Sequence, residues 1–465
     1  MRLSTRYFFI LLLGVLVTPV AHANSNQALM ELLKALEDNG TISKDVYDLV
    51  AEVAKQGQTG EHAVVAKADV KKIIFHAVNV KKMVQEEVKV ATKDQPEITI
   101  KDKFEIKSAD KDFSLRVGGR IQADAAAYSE DARKHNDGTE MRRARLFVQG
   151  TLWEAWKYKL QYDFVSTGNS GIADAYIQYA GLKDWSFTVG HFKQAFSLQN
   201  MTSSKYITFT ERGLPHLFTP GRAIGIAAGR SSNNWSVNAG LFGEGIDGAS
   251  SDEDEGYAIT GRATYAPILD QQQHVHLGTS ISYRNSGSID AIRFRERPES
   301  HLTNTFEVDT GSLNADSNLR LVGELAYTYG SLSLQGEYYY IGIERDGPNP
   351  DLDFSGYYLE GSWFLTDDMR SYSGNKGSYG KVKPRSIVGK GGIGAWQLAV
   401  RFSSVDLNDN DITGGDAQNF SLGLNWYATN NIRMSANYIN VLDVTGGAGD
   451  GDEPEAFQMR AQVEF

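Results

Sequence analysis

Cysteine is absent from the 465 residues. That excludes a disulfide scaffold, a Cys-based zinc site, an Fe–S cluster and thiol chemistry. The nine histidines are scattered without a tight ligand spacing, so neither a metal site nor a cofactor is expected. Beyond the N-terminus no run reaches the roughly 18 apolar residues of a transmembrane helix. Proline is scarce at 10, while glycine reaches 46, with 21 Phe and 22 Tyr. That balance suits many strands joined by tight turns. The net charge of −11 is opposite in sign to a nucleic-acid-binding footprint, so no nucleic-acid partner is expected.

The first residues read as a targeting segment. Arg2 and Arg6 precede an apolar run from Tyr7 to Val17, and Ala21-His22-Ala23 is a small-x-small cleavage site. This is the pattern of a secretory signal peptide over 1–23. Residues 24–95 then read as helix. Leu29, Leu32, Leu33 and Leu36 recur at helical spacing, and Asn39-Gly40 stops that helix. Ser43 caps a second, with Val46, Leu49, Val50 and Val53 on one stripe. In a third, over 67–92, Val70, Ile73, Ala77, Val80 and Val84 step by the three–four rhythm of a coiled coil. The same stripe also suits a helix packed on its neighbours. Pro96 ends this region, and 96–112 reads as a linker.

From Phe113 the period changes to two. Phe113, Leu115, Val117, Gly119 and Ile121 alternate with Ser114, Arg116, Gly118, Arg120 and Gln122. Trp156 to Phe164, Trp396 to Phe402 and Phe420 to Trp426 repeat the pattern. Segments of about ten residues, apolar on one face, polar on the other and ending in aromatics, are what a lipid-facing barrel needs. The alternation Phe457, Met459, Ala461, Val463 runs to a terminal Phe465. It resembles the C-terminal strand of bacterial outer-membrane proteins, which the assembly machinery reads.

Seventeen alternating segments can be marked, but a bacterial barrel has an even number. Short and long connections alternate only if 290–297 lies inside a long loop, 285–318. The expected fold is therefore all-β: a 16-stranded antiparallel transmembrane β-barrel over 113–465, preceded by the α-helical, coiled-coil-like region. The connection 366–393 breaks the rule. It is long on the short-turn side, basic and Gly-rich, and could fold into the lumen. Acidic outer loops such as Asp252-Glu253-Asp254-Glu255 suit divalent cations and lipopolysaccharide.

The inward faces carry basic residues. Arg116 and Arg120 point inward on the first strand and Arg143 and Arg145 on the second, with Arg142 at its mouth. Arg262, Arg284, Arg401, Arg433 and Arg460 also lie opposite an apolar face. Arg293, Arg295 and Arg297 alternate with apolar or acidic residues, about 7 Å apart if extended. Loop 193–222 adds Lys193, Ser203, Ser204, Lys205, Arg212 and Arg222 against Glu211 alone. Arg and Lys attract anions into a low-dielectric pore, and several weak sites in series let them leave. A competing reading is that these arginines pair with Asp124, Asp163, Asp174, Glu324, Glu337 and Glu360 and brace the wall. An enzyme would need a nucleophile–His pair; His191 and His216 flank the serines of loop 193–222 without a matching spacing, so no enzymatic activity is expected.

FSLRVGGRIQ (113–122), MRRARLFVQGTL (141–152), DAYIQY (174–179), VGHFKQAFSLQNMTSSKYITFTERGL (189–214), PGRAIGI (220–226) and RFRERPE (293–299) resemble the phosphate-selective porin O and P family. The resemblance implies a trimeric outer-membrane channel for phosphate, polyphosphate or other small anions, with an arginine ladder and a constriction loop. On it, Arg293, Arg295 and Arg297 match the ladder. Arg142 and Arg143 match a paired arginine. Ser203, Ser204 and Lys205 fall in the binding stretch of the constriction loop. The helical region lies outside the resemblance. It suits a periplasmic trimer stalk or a peptidoglycan contact through Lys71-Lys72 and Lys81-Lys82, and the alternative to a selective channel is a weakly selective porin that tethers the outer membrane to the cell wall.

Overall fold

The computed structural model describes residues 95–465 except 102, 167–170, 247–253, 288–290 and 346, together with scattered positions between Met30 and Ala51. The chain divides into two compact units, Met1–Lys93 and Asp94–Phe465. In the first, the described positions between Met30 and Ala51 are helical. The signal peptide 1–23, the coiled-coil seam over 67–92 and the lysine pairs at 71–72 and 81–82 lie outside the described residues. So do Asp252 and Glu253 of the acidic stretch 252–255.

The second unit contains sixteen long strands. They are β1 Ser114–Ser129, β2 Gly138–Leu152, β3 Trp156–Asp163, β4 Ile172–Tyr179, β5 Trp185–Lys193 and β6 Arg222–Ser232. Next come β7 Trp235–Phe242, β8 Glu255–Tyr265, β9 Gln273–Gly287, β10 Ser317–Tyr329 and β11 Leu332–Glu344. The last are β12 Leu352–Phe364, β13 Ala395–Asp409, β14 Ile412–Tyr427, β15 Ile432–Thr445 and β16 Glu455–Glu464. Each pairs antiparallel with the next. The ring closes where β16 meets β1, from Glu455 opposite Ser129 to Glu464 opposite Arg120. Closure leaves no open edge along the stretch where β16 pairs with β1, which a lipid environment demands.

The wall is apolar outside and polar inside. On β10 and β12, Leu325 and Leu359 stand 57% and 61% exposed while Glu324, Thr328 and Glu360 are buried. That follows directly from the period of two, because successive side chains face opposite sides. The apolar core sits instead in the lumen, where loops pack. Phe196, Leu214 and Phe218 meet Phe294, Val308, Tyr339, Ile341 and Phe354 there.

Parity resolves as the loop lengths predict. Ala291–Ile292 pairs with Leu313–Asn314, and Arg295–Glu296 with Val308–Asp309. The seventeenth segment is therefore internal to the β9–β10 loop. Two expectations are corrected. The stretch 96–112 read as a linker holds strands Glu97–Thr99 and Phe104–Lys107. They extend the sheet from the part of β1 that lies beyond the chain end, Ser114–Val117. The connection 405–417, marked from the sequence as one of the longer, outer-side connections and acidic over Asp406 to Asp411, is instead mostly strand, turned by Asn410-Asp411 with Asn410 at φ 51°. Its acidic residues rise above the wall as a hairpin, and Asp411 takes the Arg345 guanidinium.

The connection 365–394 enters the lumen. Arg262 Nη2 of β8 donates to the Gly377 carbonyl at 2.7 Å. Arg370 Nη1 donates to Gln335 Oε1 of β11 at 2.7 Å, and Tyr379 packs on Leu198. β3, β4 and β7 have eight residues and β5 nine, against 13 to 16 in β9 to β15. One side of the barrel wall is therefore low.

Candidate functional site

The loop between β5 and β6, residues 194–221, crosses the lumen and narrows it. Two buried carboxylates that are not part of the loop hold its helical turns. Glu337 of β11 accepts the backbone N–H groups of Leu198 and Gln199 at 2.6 and 2.9 Å, at the start of the short helix Leu198–Met201. Its oxygens also accept from Tyr358 and Tyr339 hydroxyls at 2.7 and 3.2 Å. Glu299, from the β9–β10 loop, accepts the N–H of Leu214 at 3.1 Å, where the 3-10 turn Leu214–Phe218 begins. Arg401 Nε and the Ser421 hydroxyl donate to it at 3.1 and 3.0 Å, joined by Arg401 Nη2 and the Ser403 hydroxyl. Free N–H groups at a helix start are natural partners for a carboxylate. On the far wall, Arg433 Nη1 donates to the Ile207 carbonyl at 2.7 Å, and Asn437 Oδ1 accepts the Thr210 N–H at 2.8 Å.

Most basic wall residues are paired. Arg145 Nε meets Asp163 at 2.6 Å, and Asp174 takes both Lys159 at 2.6 Å and Arg222 at 2.9 Å. Arg262 pairs with Glu324 at 2.6 Å, and Arg460 with Asp124 at 2.6 Å. The bracing role expected of these carboxylates is thus present. Glu337 is the exception, since it holds the loop.

Glu211 is the most heavily shared carboxylate. Arg142 grips it in a fork, Nε and Nη2 donating at 2.8 and 3.1 Å. Arg460 Nη2 adds a bond at 2.7 Å, and Arg143 Nη2 lies 3.7 Å away. Arg142 reaches the lumen beside Arg143 because the β1–β2 register shifts between Gln122 and Ala123. Such a bulge re-aims a side chain that strict alternation would turn outward. Burial alone would raise the Glu211 carboxyl; the three guanidiniums outweigh it and hold the group well below the usual carboxylate range.

Arg116, Arg120, Lys193 and Arg212 are among the cations with no carboxylate partner within salt-bridge distance among the described residues. Arg116 lies over the Phe147 ring at 5.6 Å. Arg120, 6% exposed, donates to the Ser203 hydroxyl through Nη1 at 3.4 Å. The Nε atoms of both arginines are buried without a hydrogen-bond partner among the described residues. Lys193 Nζ donates to the Asn200 carbonyl at 2.5 Å, and Arg212 to the Gln199 and Thr202 carbonyls at 2.9 and 3.1 Å. Burial lowers Arg212 to about 10, which still leaves it charged near neutrality. Beside this group, a cavity of ≈ 240 Å³ is lined by Arg145, Asp163, His191 and Arg222. Arg222 also borders a second cavity with Arg284 and Arg320.

The remaining predicted residues are placed differently. Arg293 is exposed and pairs with Asp309. Arg295 and Arg297 stack on the Phe306 ring at 4.2 and 4.5 Å, and Arg297 Nε donates to the Thr303 carbonyl at 2.7 Å. The three arginines therefore do not form a bare edge; an aromatic ring and a carboxylate interleave with them. Lys205 is bound to Glu464 at 2.6 Å, and Lys381 meets the same carboxylate at 3.0 Å. Ser204 contributes its carbonyl, to Gln122 Nε2 at 3.2 Å. His216 Nδ1 faces Thr219 Oγ1 at 3.4 Å.

Sequence reasoning missed Glu211, Glu299 and Glu337 as organising groups. Only Glu211 left a signal, as the one acid of a basic loop. The other two are brought to the loop from distant strands and loops.

The comparisons agree with this architecture. The family model for the phosphate-selective porin O and P matches residues 115–465. An uncharacterized protein of Caulobacter vibrioides is 32% identical over 376 residues, covering 77% of this chain and 74% of its own length. Porin O of Pseudomonas aeruginosa is 26% identical over 419 residues, covering 80% and 94%. Among solved structures, an anion-selective porin from Comamonas acidovorans superposes with TM-score 0.50 at 13% identity, over 76% of this chain and all of that one. OmpT of Vibrio cholerae does so with TM-score 0.50 at 12% identity, over 76% and 98%. The chain belongs to the phosphate-selective porin O and P family and is a β-barrel porin of the outer membrane.

Proposed function

We infer that this porin conducts small anions passively, with phosphate or polyphosphate as the preferred cargo, and that it is a channel rather than an enzyme. The observation that carries the reading is the pair Arg116 and Arg120. Both face the lumen with buried Nε atoms that lack a hydrogen-bond partner, and neither has a carboxylate within salt-bridge distance among the described residues. A desolvated guanidinium attracts an anion strongly, and its fork matches phosphate oxygens. Lys193 and Arg212 extend the positive field along the constriction loop. Their direct bonds go to neutral carbonyls rather than to carboxylates. The paired arginines of the wall supply the rigid frame, and the Arg295–Arg297 stretch of the β9–β10 loop offers further stations. Several modest sites in series let an ion enter and still leave. The resemblance to a porin described as anion-selective points the same way.

A homotrimer fits the wall. A strand of eight residues rises about 26 Å along its length, and a tilt of about 45° leaves about 19 Å, less than the roughly 25 Å apolar band. A neighbouring copy would shield the low wall β3–β5.

The test is single-channel current in a planar bilayer. Under a potassium chloride gradient the reversal potential is expected to report chloride preference, and micromolar to millimolar phosphate to block the current. Cation preference would overturn the reading.

A further inference from the structure

We propose that Glu211 is a tethered counter-ion that occupies the place of a permeating anion on Arg142, Arg143 and Arg460, and so sets how tightly the constriction holds phosphate. This deepens the anion-channel reading and rests on it.

The geometry is that of a bound oxyanion. Two oxygens of one carboxylate receive the Arg142 fork at 2.8 and 3.1 Å. Arg460 reaches Oε1 at 2.7 Å, and Arg143 approaches Oε2 at 3.7 Å. A guanidinium fork meets two phosphate oxygens in the same planar arrangement. The ligand here is supplied by the constriction loop itself. The Glu211 carbonyl is fixed by Arg401 Nη1 at 3.0 Å, and the neighbouring Thr210 carbonyl also accepts from Arg460. The carboxylate therefore has no freedom to drift away, and its effective concentration at the three arginines is far above any dissolved anion.

Two consequences follow. The three guanidiniums stay charged and oriented without an external ligand, because the carboxylate replaces the water they have lost. They are also closed to strong binding of a passing anion, which must compete with an attached one. Among the described cations Asp124 pairs only with Arg460, through Nε at 2.7 Å and Nη2 at 2.6 Å, and its Oδ2 also accepts from Gln458 Nε2 at 2.8 Å, so it does not stand in for Glu211 on the Arg142–Arg143 pair. Anions then pass on the side of Arg120, Lys193 and Arg212, none of which has a carboxylate within salt-bridge distance among the described residues. A constriction with all these arginines open would bind phosphate too firmly to release it quickly.

Glu211→Gln tests the idea, since the amide keeps the size and one acceptor and loses the charge. The phosphate concentration that halves the chloride current is expected to fall about tenfold, the loss of one charged competitor of about 1.4 kcal/mol. Phosphate dwell times in single-channel records lengthen in parallel. Adding Arg142→Gln and Arg143→Gln to Glu211→Gln is expected to abolish that gain, because the opened site is gone. Heat-modifiable electrophoretic mobility checks that each barrel is closed. An anion-preferring wild type with an unchanged or weakened block in a closed Glu211→Gln barrel overturns the counter-ion role alone. A tightened block that survives loss of Arg142 and Arg143 also overturns it, since the gain would come from elsewhere. A wild type without anion preference overturns the channel reading instead.

Discussion

At the scale of single residues, the lumen sorts its charges by partner rather than by position. Arg145, Arg262 and Arg460 are structural, each locked to a carboxylate, whereas Arg116 and Arg120 on the same kind of wall are left with unpartnered donors. Alternation alone makes these residues equivalent; only the cross-strand and loop neighbours separate them. Glu337 illustrates the other side of that rule. Its carboxylate gathers two backbone N–H groups and two tyrosine hydroxyls, and charge-assisted bonds of this type are individually strong. Glu337→Ala leaves buried donors unpaired at the start of the constriction loop, a cost of about 3 kcal/mol or more for loop docking. The expected outcome is a noisier open-channel current and cleavage within 194–221 by added protease, with the barrel still folded. A quiet current and a resistant loop would show that Tyr339, Tyr358 and Ser197 hold it unaided.

Elements carry a different lesson. The β9–β10 loop docks into the lumen, with Phe294 and Val308 in the apolar core and Glu299 on the constriction loop. It also contains two acids that burial makes hard to ionise. Burial raises Glu296 from its ordinary 4.5 to about 7, helped by the nearby Glu211 and Glu299 and opposed by the Arg297 N–H and charge. Burial raises Glu307 well above the usual range, Glu299 and Asp452 adding to it and Arg133 and Asn419 opposing. The sign is set by which state holds the proton. A carboxyl whose folded pKa is raised contributes docking stability that is fully present below about 4.5 and lost as pH rises through the folded value. The loop is therefore expected to be more protected from hydrogen exchange at pH 5 than at pH 8. Glu296→Gln should flatten the change between about 4.5 and 7. Protection that grows with pH would contradict the assignment. Elements also explain the corrected boundaries. A charged hairpin can continue past the membrane because water, not lipid, surrounds it. The strand pair in 96–112 forms because β1 outruns β16 and leaves an edge to fill.

For the whole molecule, closure and the low wall decide behaviour. The ring needs no outside partner for its backbone, yet the strands β3, β4, β5 and β7 are too short to cover the apolar band alone. Unheated protein is expected to migrate as a trimer in mild detergent and as a monomer after boiling. Placing Asp at Leu160 or Ile177, outward residues 51% and 49% exposed on β3 and β4, is expected to release monomers that stay folded. The same substitution at Leu334 of β11, 55% exposed, would leave a trimer. Equal effects at both places would place the contact elsewhere.

The barrel, its strand count and its family were legible in the residues because each rests on local order. A period of two, a connection length and a contiguous motif such as MRRARLFVQGTL need no knowledge of what lies across the lumen. The internal place of 290–297 followed from parity for the same reason. What the constriction does with its charges was not legible. Arg142 pairs with Glu211 across 69 residues, Arg401 with Glu299 across 102 and Arg460 with Asp124 across 336. A sequence shows that basic and acidic residues face one lumen. Which of them neutralise each other depends on loop docking and a single bulge, and only the closed tertiary structure brings those charges within a few ångströms, where Coulomb interactions and hydrogen bonds act.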